Sequence, residues 1–87
     1  MTTARVQIVA QATTVYLPIS TKQSSRPNCV NYKATNATSR TVRYVQLNRR
    51  NKQGKISKSF LTSSLAAGKT TSFSLCDNSF VNVEARQ

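Results

Sequence analysis

Residues 41–60 read TVRYVQLNRRNKQGKISKSF, and this stretch decides the fold. Within Thr41–Arg49 the apolar residues Val42, Tyr44, Val45 and Leu47 describe a strand whose in–out phase changes midway. Asn51-Lys52-Gln53-Gly54 is a hairpin turn in which the glycine supplies a positive φ. Ile56 and Phe60, separated by Ser57, Lys58 and Ser59, mark the returning strand. Nothing here carries the three-to-four spacing of an amphipathic helix. The segment is a β-hairpin.

The same period continues on both sides. Upstream, Val30, Tyr32 and Ala34 alternate with Asn31, Lys33 and Thr35 as a strand, and residues 36–39 turn the chain. Residues 18–28, polar and holding both prolines, read as a loop. Further back Val6, Ile8, Ala10 and Ala12 alternate with Arg5, Gln7 and Gln11. The phase then slips, so that Val15, Leu17 and Ile19 carry the inward face, which asks for a bulge or bend near Thr13-Thr14. Downstream, Ser63 to Gly68 fits one short helical turn that the glycine ends. Thr71, Phe73 and Leu75 form another alternating strand, Asp77-Asn78-Ser79 turns it, and Phe80, Val81 and Val83 close the chain. About seven short strands within 87 residues predict one all-β domain spanning 1–87. The pattern is that of a small sandwich, with a small OB-like barrel as the alternative.

Residues 30–75 carry Asn36-Ala37-Thr38-Ser39, then Val42 and Val45, then Leu47-Asn48-Arg49-Arg50-Asn51 with Gly54, and finally Leu65, Gly68 and Phe73. This order resembles the central part of an immunoglobulin-like sandwich of the FxLYD type. It departs where that family has Tyr-Asp after the leucine, since Asn48-Arg49 stand there. The resemblance covers roughly half the chain and implies architecture alone, because such modules share no common chemistry.

Charge is the strongest compositional signal. Thirteen Lys and Arg face two acids, giving a formal net charge of +11. Both acids, Asp77 and Glu84, lie near the C-terminus, and the chain before Cys76 holds none. Ordinary soluble domains intersperse both signs, so a basic excess of this size calls for an external counter-charge. Arg40, Arg43, Arg49, Arg50, Lys52, Lys55 and Lys58 gather on the predicted hairpin, where no acid stands. A cationic β-ribbon can follow a phosphate backbone or enter a groove, and the arginine fork suits paired phosphate oxygens. Arg43 and Arg49 share a face with Val45 and Leu47 in a regular strand, and a bulge separates them. Tyr32 beside Lys33 and Tyr44 beside Arg43 are the candidates for stacking on unpaired bases, against a competing role in the core.

Catalytic chemistry has little to draw on. The sequence holds no histidine, the commonest general base and metal ligand. Two glycines cannot build a phosphate-binding glycine-rich loop, and neither a serine elbow nor a CxxC motif is present. Cys29 and Cys76 fall short of the four ligands that zinc prefers. The expectation is therefore a non-enzyme without metal or cofactor. The two cysteines allow one disulfide or two free thiols, and a start without a continuous apolar leader favours buried thiols in a reducing compartment. No run approaches a membrane span of ~18 apolar residues. Asn36-Ala37-Thr38 fits the N-glycosylation pattern, which carries meaning only in a secreted chain.

These readings lead to a cytoplasmic or virion-associated nucleic-acid-binding module, with the Ser/Thr/Asn-rich, acid-poor make-up pointing to a virus or phage. The alternatives are a capsid or surface assembly protein, homo-oligomeric or docked on an acidic protein, and a small inhibitor covering an acidic site.

Overall fold

The computed structural model describes residues 13–87. It is all-β, with seven strands: β1 Thr14–Tyr16, β2 Ile19–Gln23, β3 Val30–Thr35, β4 Val42–Arg50, β5 Ile56–Leu65, β6 Thr70–Leu75 and β7 Phe80–Arg86. They form two antiparallel sheets, one of four strands in the order β1-β7-β4-β5 and one of three in the order β2-β3-β6. The architecture is a small β-sandwich. Among the described residues each sheet keeps two open edges and the two sheets do not close into a barrel.

Apolar residues from both sheets meet between them. Val42, Val45 and Leu47 of β4 meet Val83 and Ala85 of β7, Leu65 of β5, Ala34 of β3 and Leu75 of β6 in one buried cluster. Val15, Ile19 and Leu61 pack around it. Tyr32, Phe73 and Phe80 cross between the sheets, with the Tyr32 ring stacked 5.1 Å from Phe73 and 4.7 Å from Phe80.

The expected phase change in β4 is a bulge. Between Arg43 and Gln46 the strand spends one more residue than its partner β7, and Tyr44 there adopts φ 52°. That left-handed conformation is unfavourable for an L-residue with a bulky side chain. Its effect is to put Arg43 outside while Val42 and Val45 both stay buried. Arg49, beyond the bulge, falls in phase with Val45 and Leu47 at the end of the inner face.

Val15, Leu17 and Ile19 all face inward as expected, yet they serve two sheets. Leu17 N–H still donates to the β7 carbonyl of Val83 (2.9 Å), whereas the Pro18 carbonyl accepts from Thr35 of β3 (3.1 Å). Proline has no N–H to leave unpaired at this crossing. The expected strand over Val6–Ala12 lies outside the described residues.

Two expectations are corrected. The stretch 18–28 is not all loop, because Ile19–Gln23 pairs in full register with β3. Its polar residues reflect an edge strand with one face in water. Ser63 and Ser64 belong to β5 rather than to a helical turn, since Leu65 must reach its buried pairing with Val42. The turn comes after it, ending at Gly68 with φ +76°.

Asn36 organises the opposite end of the sandwich from the hairpin tip. It is fully buried, and its Nδ2 donates to the carbonyls of Arg40 (2.7 Å) and Leu65 (2.9 Å). Its Oδ1 accepts from the N–H (3.0 Å) and hydroxyl (2.6 Å) of Thr38. One side chain thus satisfies the backbone of the β3–β4 connection and the end of β5.

Candidate functional site

The β4–β5 hairpin forms as the sequence predicts, and its tip is built by Asn51. Its Oδ1 accepts from the N–H groups of Gln53 (3.0 Å) and Lys55 (2.9 Å), and its carbonyl accepts from Gly54 (2.9 Å). Gly54 sits at φ +81°, a value that glycine reaches without steric cost. Arg50, Lys52 and Lys55 surround this turn, all exposed. An open depression of about 460 Å³ lies beside them, bounded by Arg49, Arg50, Lys52, Asp77, Asn78 and Ser79.

The seven candidate cations do not form one cluster. Arg40 precedes β4 and sits by the Asn36 end, with Arg43 one turn of the pleat further on. The strand separates them from the tip by roughly 20 Å or more at the usual rise per residue. The expectation that no acid neutralises the hairpin is also corrected. Arg49 pairs with Asp77 at 2.9 Å and donates from Nε to Ser79 Oγ at 2.9 Å, tying β4 to the β6–β7 turn. Lys58 pairs with Glu84 across the sheet and reaches Asn48 Oδ1 at 3.3 Å. Both acids are therefore spent on hairpin residues, linking Arg49 and Lys58 to neighbouring elements. The other Lys and Arg among the described residues have no acid partner.

The carboxyl chemistry fits this arrangement. Hydrogen bonds from the Ser79 hydroxyl and N–H, and then the Arg49 charge, hold Asp77 below its ordinary value. The Lys58 ammonium, seconded by the Asn48 amide, does the same for Glu84. Neither group is poised as an acid at neutral pH.

The outer face of the four-stranded sheet is a second surface, which the alternation of single strands does not isolate. Register sets Tyr16, Glu84, Gln46 and Phe60 in one row across β1, β7, β4 and β5. The next row holds Asn82, Asn48 and Lys58, and Arg50 and Ile56 stand beyond it. Arg43 and Arg86 lie directly opposite one another on the other side of the aromatic row. Tyr16 and Phe60 are 63% and 62% exposed. A signal for Phe60 is present in the alternation, because Ile56 and Phe60 share the phase of Lys58 and so have to face water with it.

The two tyrosines proposed for stacking part company. Tyr32 is enclosed by Phe73 and Phe80 and serves the core. Tyr44 is 59% exposed and stays available. Cys29 and Cys76 form a disulfide, the one of the two states left open by the sequence that a reducing compartment would disfavour. The pair Val30 and Leu75 brings them together, since each cysteine is the next residue beyond that pair at the end of β3 and β6. Among the described residues no helix is long and apolar enough to cross a membrane. No family model, curated protein or solved structure matches the chain.

Proposed function

We propose that this chain is a non-enzymatic nucleic-acid-binding module that tracks a phosphate backbone with its β4–β5 hairpin. The observation that carries the reading is the tip itself. Arg50, Lys52 and Lys55 crowd around one turn with no acid partner, although two acids were available and went elsewhere. A folded protein that leaves like charges together in this way gains when a polyanion neutralises them. The lack of histidine and the engagement of both carboxylates support a binding role rather than catalysis. The disulfide fits an oxidising destination, such as a released virus or phage particle, better than a reducing cytosol.

A second reading, assembly through protein contacts, rests on β5. This strand runs for ten residues at the edge of its sheet, and among the described residues no strand pairs with its outer backbone groups, which suit pairing with another chain.

Salt separates the two. If the tip binds phosphates, replacing Arg50, Lys52 and Lys55 with Gln flattens the dependence of log K on log salt by roughly 0.7 to 0.9 for each phosphate no longer neutralised. Arg49→Gln changes that slope less, because Asp77 already offsets its charge. Lys33→Gln and Arg26→Gln, on segments away from the hairpin, serve as controls for net charge. Equal losses in both sets would move the site off the hairpin. Binding to no nucleic acid at low salt, together with self-association, would replace the reading with the assembly one.

A further inference from the structure

We propose that the outer face of the β1-β7-β4-β5 sheet is a platform for single-stranded nucleic acid, with Phe60 and Tyr16 receiving bases and Arg43 with Arg86 receiving phosphate. This deepens the nucleic-acid reading and rests on it.

The distribution of aromatic residues is the first argument. The chain has three Tyr, three Phe and no Trp. Tyr32, Phe73 and Phe80 stack together between the sheets. Tyr16, Tyr44 and Phe60 are each about 60% exposed, and all three belong to the four-stranded sheet. A domain this small needs its large apolar side chains for the core. Phe60 has no polar tip to justify its place in water. The opposite face of the sandwich shows what an unused surface looks like here, with Ser20, Lys22, Asn31, Lys33, Ser72 and Ser74 and no aromatic.

Charge supplies the second argument. Arg43 and Arg86 are direct cross-strand neighbours, and like charges in that position repel. Neither has an ion-pair partner among the described residues, and Glu84, which feels the Arg86 charge, is bonded to Lys58 instead. An anion bridging both guanidinium groups removes the repulsion and is held by paired hydrogen bonds. The one acid on this face, Glu84, is neutralised by Lys58, so it does not repel an incoming phosphate. Glu84 and Gln46 lie between the two aromatic residues in their row, and Asn48 and Asn82, joined at 2.7 Å, keep the row beside it polar.

Geometry selects the single strand. Tyr16 and Phe60 are three strand spacings apart, about 14 Å, and a base must be free of its partner to stack on either one. In a duplex the base faces are already stacked on one another, so no ring face is open to Tyr16 or Phe60. Arg50 continues this face into the hairpin tip, so one chain can run from the arginine pair to the tip cations.

The test uses a labelled oligo-dT of about 16 nucleotides and a duplex of the same length, read by fluorescence anisotropy. Phe60→Ser is expected to weaken the single strand roughly 5- to 150-fold, leaving the duplex affinity and the salt slope unchanged. Circular dichroism should be unaltered, because the side chain lies outside the core. Phe60→Trp keeps a stacking ring and introduces the sole indole of a chain without Trp. Its emission is expected to be quenched on saturation with the oligonucleotide. If that emission does not respond, or Phe60→Ser leaves single-strand affinity intact while neutralising the tip weakens it, the platform is refuted and the hairpin reading stands. If neither nucleic acid binds the wild-type chain, both readings fall together.

Discussion

Breaking the Cys29–Cys76 bond tests how this sandwich is held together. The bond closes the ends of β3 and β6 across a sequence separation of 47 residues. For a loop of that length the chain-entropy relation gives about 4 kcal/mol at 25 °C. Small domains have total stabilities of about 5–15 kcal/mol, so the bond is a large share of what is available. The structure has little to compensate the loss. Its smaller sheet has three strands, two of which the bond joins, and its core is built mainly from Val, Leu and Ala. A Cys29→Ala/Cys76→Ala variant is expected to unfold at a urea midpoint corresponding to about 3–4 kcal/mol less stability. The melting temperature should fall by at least about 12 °C at the usual 4–8 °C per kcal/mol. Reducing the wild-type protein should reproduce the loss, which separates it from any effect of trimming the buried Cys29 side chain. A loss under about 1 kcal/mol in both experiments, far below the chain-entropy value, would show that strand pairing and core packing alone fix the two sheets, and the reasoning would be wrong.

Two further outcomes follow from the buried and paired polar groups. Asn36→Ala deprives the Arg40 and Leu65 carbonyls and the Thr38 N–H of their partners, and should cost about 2–4 kcal/mol in urea denaturation; a change within about 0.5 kcal/mol, the usual range of surface substitutions, would contradict its organising role. Asp77 and Glu84 are both held below their ordinary values of 3.8 and 4.5, so the unfolded chain takes up protons first as pH falls. The stability they contribute is complete above about pH 5 and is lost progressively below that. The melting temperature should be level from about pH 7 to 5 and decline below about 4, less steeply in an Arg49→Gln/Lys58→Gln variant; equal decline in both proteins would assign the acid sensitivity to net charge alone.

Much of the architecture was legible because a sandwich strand with one wet face must alternate. β3, β6 and β7 announce themselves in this way, and the Asn51–Gly54 turn fixes where β4 returns as β5. The parts that escaped have identifiable causes. β2 presents Ser20, Thr21, Lys22 and Gln23, since an edge strand is held by backbone bonds to β3 and needs few apolar side chains. The serine-rich end of β5 escapes for the same reason. The cysteine pairing depends on the β3–β6 register, a long-range property with no local pattern. In the candidate site the tip was legible from Arg50, Lys52 and Lys55. The commitment of Arg49 and Lys58 to ion pairs was not, because their acids arrive from β7 and the turn before it. The Arg43–Arg86 pair is likewise a product of topology.

The burial of Asn36 also decides how the protein can be made. Asn36-Ala37-Thr38 is a glycan acceptor triplet on an extended chain, yet in the folded domain its amide nitrogen is committed to two carbonyls and shielded from solvent. A eukaryotic secretory host scans such triplets as the polypeptide emerges, so sugar transfer and folding compete for one nitrogen atom. A chain modified there cannot close the loops around residue 36, and it enters quality control as a misfolded species. A bacterial periplasm without that transferase supplies the oxidant for Cys29 and Cys76 and leaves the asparagine to the fold.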